Sequence, residues 1–82
     1  SQYVHLKLRQ DQVYISSAYA QKYHLKKGMT LKLKEPYKKR TYTFKVSGVY
    51  HYEGALCLFM TQSKLHKTLG IQSQLTSRFT NN

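Results

Sequence analysis

Acidic residues are almost absent from this chain: its 82 residues include three Asp and Glu against 14 Lys and Arg, which gives a net charge of +11. Catalysis by paired carboxylates requires two acids held a few ångströms apart. The three acids are Asp11, Glu35 and Glu53, and two of them fall in predicted turns or loops. The shortage of acids therefore argues against a carboxylate enzyme, and we predict that the chain is not an enzyme.

Cysteine is also scarce, since Cys57 is the only one. A single thiol excludes an internal disulfide and a zinc centre made of thiolates. Cys57 lies among apolar neighbours, and buried thiols are usually inert, so we expect a structural role for it. The four histidines show no short metal-ligand spacing, although a composite site using His5 and His51 stays open. No glycine-rich phosphate loop is recognisable, and we expect neither a metal nor a cofactor.

Long apolar runs are missing as well. No stretch of 18 apolar residues occurs, so no segment predicts a membrane-spanning helix, and no signal peptide is recognisable. The first residue is Ser1 rather than Met. We interpret the chain as a single domain, residues 1–82, taken from a longer protein.

The first part of the chain predicts two strands and a helix. Apolar and polar residues alternate over residues 3–9, which is typical of a half-buried strand, and a second short strand follows over residues 13–15. One of the two serines at 16–17 can cap a helix over residues 17–24. Gly28 suits the left-handed position after that helix.

The middle of the chain predicts a β-hairpin with a defined register. Residues 29–34 and 41–46 both alternate between apolar and polar, and Pro36 lies in the turn between them. If Lys34 faces Thr41, all the apolar side chains of the hairpin share one face, whereas a slip of one residue would destroy that arrangement. These side chains are Met29, Leu31, Leu33, Tyr42, Phe44 and Val46.

The last part of the chain predicts a strand, a helix and a loosely ordered tail. Residues 55–60 are apolar throughout, which indicates a strand buried on both faces. Thr61 can cap a helix over residues 62–69 that ends at Gly70. Residues 71–82 are polar and weakly patterned.

Strands outnumber helices in this interpretation, and the connections between them are short. The sequence therefore predicts an α+β fold. We expect a small, mainly antiparallel curled sheet, or a partly open barrel, of about five strands with two short helices.

Basic residues are concentrated in the middle of the chain. Residues 22–45 hold nine Lys and Arg less one Glu, which is +8 of the total +11. The hairpin register places three of these lysines on the outward face and three further basic residues at the turn, where they would attract phosphates or other anions. The alternative is a solvated face that prevents aggregation and has no specific ligand. The predicted contact residues are Lys32, Lys34, Lys38, Lys39, Arg40 and Lys45, with Tyr37 as an aromatic contact.

Residues 13–70 follow an order of motifs that resembles a known family. They comprise a short strand, a serine cap, a helix containing alanine, the turn Leu25-Lys26-Lys27-Gly28, an alternating strand, the segment Val46-Ser47-Gly48-Val49, an apolar strand ending Phe59-Met60-Thr61 and a helix ending Leu69-Gly70. This order resembles an extracytoplasmic segment of the FtsX-like (MacB-type) permeases of ABC transporters, particularly the large ones of Gram-positive bacteria.

The resemblance implies a non-catalytic module on the extracytoplasmic face of the bacterial cell membrane, as part of an integral membrane protein. Such a module would bind a partner or substrate, or couple motion mechanically to transport. Its partners would be the remainder of the permease and its ATPase subunit, with an anionic cell-surface polymer or lipid headgroups as further partners. The alternative is a small basic domain that binds nucleic acid or another polyanion, and we rank nucleic acid behind the other partners.

Overall fold

The computed structural model describes residues 6–37 and 39–70, which form an α+β fold. Its elements are β1 (Val13–Ser16), α1 (Ser17–Tyr23), β2 (Thr30–Lys34), β3 (Thr41–Lys45), β4 (Gly48–Tyr50), β5 (Leu58–Met60) and α2 (Gln62–Leu69). The predicted fold class, with about five strands and two short helices, is confirmed. The described strands form two sheets, of three and two strands, and these are not closed into a barrel.

The larger sheet has β1 at its centre, in the order β4-β1-β5. β1 runs antiparallel to β5, with Tyr14 opposite Phe59, and parallel to β4, with Tyr14 opposite Gly48. The ring of Tyr14 lies so close to Gly48 that a Cβ at this position would approach it to 2.5 Å. Because the pairings β1–β5 and β2–β3 are antiparallel, the prediction of a mainly antiparallel arrangement is also confirmed.

The smaller sheet is the predicted hairpin of β2 and β3. Lys34 lies opposite Thr41 and Leu31 lies opposite Phe44, so the predicted register is confirmed. Its apolar residues are buried or half-buried, with one exception: Met29 is 45% exposed. Met29 precedes the first residue of β2, and its Sδ lies 3.2 Å from the backbone N–H of Lys26 in the preceding turn.

Side chains from both sheets and from α1 form one core. Its buried members are Val13, Ile15, Tyr19, Leu31, Phe44 and Val46. The hairpin contributes the last three of these residues through its apolar face, and β1 contributes the first two. The core therefore fixes which face of the hairpin points inward and leaves the other face to solvent.

The hydroxyl of Ser16 joins β1, α1 and the segment before β5. Its Oγ accepts hydrogen bonds from the N–H of Tyr19 at 3.2 Å and of Cys57 at 3.1 Å, and it donates to the carbonyl of Ala55 at 2.7 Å. Ser16 is fully buried and is the N-cap of α1, one of the two capping residues that the sequence allowed. One side chain thus satisfies three backbone groups that would otherwise lack partners.

Helix α1 ends earlier than its pattern predicted. It stops at Tyr23, and His24, with φ of 56°, is the left-handed C-cap whose N–H donates to the carbonyl of Ala20. Gly28 also has a positive φ, 92°, but it belongs to the turn that leads into β2. Its N–H donates to the carbonyl of Val46 at 2.8 Å, so its left-handed conformation orients the start of the hairpin rather than the helix end.

Helix α2 has the predicted bounds. The Oγ1 of Thr61 accepts from the N–H of Lys64 at 3.1 Å and donates to the carbonyl of Gln10 at 3.1 Å. Gly70 is the C-cap with φ of 63°. The cap therefore both starts the helix and ties it to the segment before β1.

Two predicted strands differ from the structure. Residues 6–9 form no strand, although Leu6 and Leu8 are half-buried and their polar neighbours are exposed, as the alternation indicated. The predicted strand over residues 55–60 is shortened to β5, which is half-buried, and Leu56 is 45% exposed. Among the strands that the structure describes, β5 lies at the edge of its sheet, so it is not enclosed in the way a central strand would be. Residues 3–5 and the predicted tail over 71–82 lie outside the described residues.

Candidate binding surface

The outward face of the hairpin presents lysines in a staggered arrangement. Lys32 lies opposite Thr43, Lys34 opposite Thr41, and Lys45 opposite Thr30. All six side chains are exposed. Like charges directly opposite each other on neighbouring strands are destabilising, and pairing each lysine with a threonine avoids this. The hairpin therefore carries three ammonium groups on one face without placing any two in direct opposition.

The turn of the hairpin extends this positive surface. The N–H of Glu35 donates to the carbonyl of Arg40 at 3.0 Å, which closes the loop. Lys39 and Arg40 are exposed, and Tyr37 is 98% exposed. Lys38, the remaining predicted contact residue, lies outside the described residues. We name the exposed set the cationic face; its described members are Lys32, Lys34, Tyr37, Lys39, Arg40 and Lys45.

The one acid within this region is turned toward the apolar side of the hairpin. The carboxylate of Glu35 accepts a hydrogen bond from the hydroxyl of Tyr42, which lies on the core-facing side of β3. Glu35 is half-buried, whereas the basic side chains around it are exposed. The glutamate therefore stabilises the turn while the positive potential of the cationic face stays directed to solvent.

A depression next to the hairpin adds Lys27, which is not among the contact residues predicted from the sequence. Lys27 and Lys45 line a cavity of about 410 Å³ together with Tyr14 and Ser47. Lys27 comes from the turn before β2 and Lys45 from the end of β3. The feature of the sequence that could have indicated Lys27 is its position directly before Gly28, in the turn that leads into β2. The positive surface thus continues from β3 to the turn after α1.

A groove separates the end of α1 from β2, and we call it the α1–β2 groove. Its cavity measures about 330 Å³, and its walls are formed by Tyr19, Tyr23 and Leu25 on one side and by residues 30–33 on the other. The rings of the two tyrosines lie 5.3 Å apart at 53°, and the ammonium group of Lys22 lies 5.6 Å from the centre of the Tyr23 ring. Burial, and then the neighbouring Tyr23, raise the pKa of Tyr19.

Nowhere in residues 6–37 and 39–70 do three His, Cys, Asp or Glu side chains gather into a group that could hold a metal ion. Cys57 is a half-buried free thiol rather than a fully buried one. The Nε2 of His66 is buried and has no hydrogen-bond partner among the residues that the structure describes. His51 is exposed, and its possible metal-site companion His5 lies outside the described residues.

No protein-family description, curated protein or solved structure matched this chain. Within the residues described, no helix has the length and apolar character needed to cross a membrane. The surface geometry and the sequence resemblance are therefore the basis for a functional proposal.

Proposed function

We propose that this chain is a non-catalytic extracytoplasmic module of an FtsX-like ABC transporter permease, which binds an anionic partner or substrate or couples its movement to transport. The observation that carries the proposal is the cationic face. Its side chains are exposed on one side of a hairpin whose other side is anchored in the core.

The two-sided construction of the hairpin makes the cationic face suitable for binding. Leu31 and Phe44, each 6% exposed, hold the inward side against β1 and α1. The backbone beneath the lysines is therefore fixed, whereas their long side chains stay in water and can reach a partner. A positive surface on a fixed backbone attracts anions and raises their association rate.

The permease proposal is supported by the order of the secondary structure. All seven elements, from β1 at Val13 to α2 at Leu69, fall within the residues 13–70 that carry the resemblance. The proposed partners are the remainder of the permease and its ATPase subunit. An anionic cell-surface polymer or lipid headgroups are the proposed ligands of the cationic face. Both carry phosphate or carboxylate groups close to the extracytoplasmic face of the cell membrane, and clustered Lys and Arg side chains bind such groups.

The sequence of the parent gene tests the membrane assignment directly. We expect apolar runs of about 20 residues on one or both sides of this segment, because that length spans a bilayer as a helix. A parent gene that encodes no such run on either side would contradict the permease proposal.

A second candidate function is binding of single-stranded nucleic acid. The observation that favours it is Tyr37, which is 98% exposed and lies in a turn with Lys39 and Arg40. An exposed aromatic ring next to basic side chains is the combination on which bases stack. This function predicts affinity that falls steeply with salt, because bound phosphates release counterions.

One titration distinguishes the candidates. The chain is titrated with single-stranded DNA, anionic lipid vesicles and a polymer of teichoic-acid type across a range of salt concentrations. Selective, salt-steep binding of DNA supports the nucleic-acid function. Selective binding of vesicles or polymer supports the extracytoplasmic function. Weak binding of all three that disappears by physiological salt indicates a solvated face.

A matched pair of variants locates the binding surface. Lys32→Ala, Lys34→Ala and Lys45→Ala together remove three charges from the cationic face, and we expect them to weaken anion binding. The control combines Lys7→Ala, Lys22→Ala and Lys67→Ala, which removes three charges from other exposed lysines. Equal weakening by both sets would show that net charge, rather than the cationic face, determines binding.

A further inference from the structure

The outer edge of β2 has no strand partner among residues 6–37 and 39–70, since β2 pairs with β3 alone. Two backbone hydrogen bonds, made by the residues on either side of β2, show which of its N–H and C=O groups point toward β3. The N–H of Val46 donates to the carbonyl of Met29 at 2.8 Å, and the N–H of Glu35 donates to the carbonyl of Arg40 at 3.0 Å. Both Met29 and Glu35 therefore direct backbone groups toward the other strand of the hairpin.

Backbone groups in an antiparallel pair point alternately toward the partner strand and away from it. Because the backbone groups of Met29 and Glu35 point toward the other strand of the hairpin, the backbone groups of Leu31 and Leu33 do so as well. The N–H and C=O groups of the residues between them point to the outer edge. These residues are Thr30, Lys32 and Lys34.

The α1–β2 groove runs along this same edge. Thr30, Leu31, Lys32 and Leu33 form one wall, and the opposite wall includes Tyr23, which is 53% exposed. A cavity of about 330 Å³ is within the range of ligand-binding clefts. An edge with outward backbone groups therefore lies next to an accessible aromatic and aliphatic surface.

We propose that the outer edge of β2 binds an extended segment of a partner protein, which adds to the hairpin as a third strand. The segment would carry acidic side chains at alternate positions, on the same face as Lys32 and Lys34. Its intervening apolar side chains would lie on the other face, beside Leu31, Leu33 and Tyr23. Backbone hydrogen bonds supply affinity in this mode of recognition, and alternate side chains supply specificity. This proposal rests on the proposed binding function and names the chemistry of the partner.

Charge argues for an acidic partner rather than a second copy of this chain. Two copies of β2 paired along this edge would bring lysine side chains close to lysine side chains, and lysines on an edge strand oppose that association. The net charge of +11 on each copy adds long-range repulsion. An acidic strand replaces both repulsions with attraction.

Amide hydrogen exchange of the 82-residue chain, measured residue by residue by NMR, tests the proposal. In the free chain we expect fast exchange at Thr30, Lys32 and Lys34 and slow exchange at Leu31 and Leu33. A capped seven-residue peptide in which Glu alternates with Val should slow the three fast amides about tenfold or more at saturation. A peptide with Lys in place of Glu should leave them unchanged.

Methylation of the peptide backbone separates strand pairing from attraction between charges. Two further peptides carry N-methyl groups at one or the other alternate set of residues. Only the set whose N–H groups face β2 should abolish protection, because the other set points away from the pairing edge. A loss with one peptide and retention with the other supports the third strand.

Three results would overturn the proposal. The first is slow exchange of the three edge amides in the free chain, which would mean that the edge is already covered. The second is protection that rises with chain concentration without peptide, which would identify a second copy as the occupant. The third is equal binding of both methylated peptides, which would show attraction between side chains alone and would leave the proposed anion-binding function intact. If the Glu peptide does not slow the three edge amides, the third-strand proposal is likewise wrong. If the polyanions also fail to bind, the anion-binding role of the cationic face is wrong as well.

Discussion

The two sheets of this fold differ in how completely their backbones are covered. In the larger sheet, β1 is paired on both edges, and Val13, Ile15 and Ser16 are at most 1% exposed. In the hairpin, each strand pairs along one edge only within the described part of the chain, and alternate residues of both strands are exposed. The central strand of the larger sheet is therefore enclosed, whereas the hairpin presents one exposed face to solvent.

The two sheets also differ in the sequence separation of the strands that they pair. The hairpin depends on neighbouring segments joined by one turn, and its register follows from side-chain alternation. The larger sheet depends on pairing β1 with β4 and β5, which are distant from it in sequence. It also depends on the hydroxyl of Ser16, which joins β1, α1 and the segment before β5. Four predictions test whether this division is correct.

The largest effect is expected from Phe44→Ala, which removes an aromatic side chain that the hairpin contributes to the core. Phe44 is 6% exposed, and truncating a buried aromatic side chain costs about 3–5 kcal/mol in unfolding free energy. Urea denaturation measures this cost. Thr43→Ala is the control, because its side chain is on the exposed face of the same strand. A cost below about 1 kcal/mol for Phe44→Ala would contradict the assignment of the inward face.

The second prediction concerns the junction at the end of β1. Ser16→Ala removes one acceptor for two N–H groups and one donor to the Ala55 carbonyl, so it should cost about 1–3 kcal/mol. Ser17→Ala should cost less, since the Ser17 hydroxyl accepts one bond, from the N–H of Tyr52 at 2.9 Å. Equal costs measured by urea denaturation would show that the junction has no special role.

The third prediction concerns the turn of the hairpin. Lys38→Glu, Lys39→Glu and Arg40→Glu together should change the unfolding free energy by no more than about 0.5 kcal/mol, because Lys39 and Arg40 are exposed and such residues contribute little to packing. The same variant should bind anionic polymers more weakly at low salt. Unchanged binding would mean that the turn does not belong to the contact surface.

The smallest effect is expected at high pH from Tyr19, whose pKa in the folded protein is raised above 10.0 mainly by burial. The neutral phenol is therefore favoured by folding, and its contribution to stability is present below pH 10.0 and is lost as the pH rises through the higher folded pKa. Above pH 10.0 we expect the unfolding free energy of the Tyr19→Phe variant to fall less steeply with pH than that of the unchanged protein. Parallel slopes for the two proteins in urea denaturation would contradict this expectation.

The sequence was sufficient to predict the register of the hairpin and the bounds of α2. The register of the hairpin follows from alternation on both sides of one short turn, and the N-cap at Thr61 follows from a polar residue before an apolar helical pattern. The left-handed residue was assigned to Gly28 rather than His24, because glycine tolerates positive φ and a histidine there is uncommon.

Pairings between distant segments could not be predicted in the same way. Nothing in Gly48–Tyr50 alone indicates a strand that runs parallel to β1, and the apolar run before Met60 cannot reveal that β5 is an edge strand. The exposed lysines of the candidate site followed from alternation. The outward backbone groups at Lys32 and Lys34 required the hydrogen-bonding pattern of the hairpin as well.

The position of β1 has a consequence for the order of events during synthesis. During synthesis β1 emerges before its two partner strands, which begin at Gly48 and Leu58. It therefore stays unpaired on at least one edge until both have emerged. The hairpin is complete once Lys45 emerges, and hairpins form in about 1–10 μs. We expect the apolar strand Val13–Ser16 of a nascent chain to stay accessible to chaperones until β5 has emerged, and to become protected when β5 pairs with it.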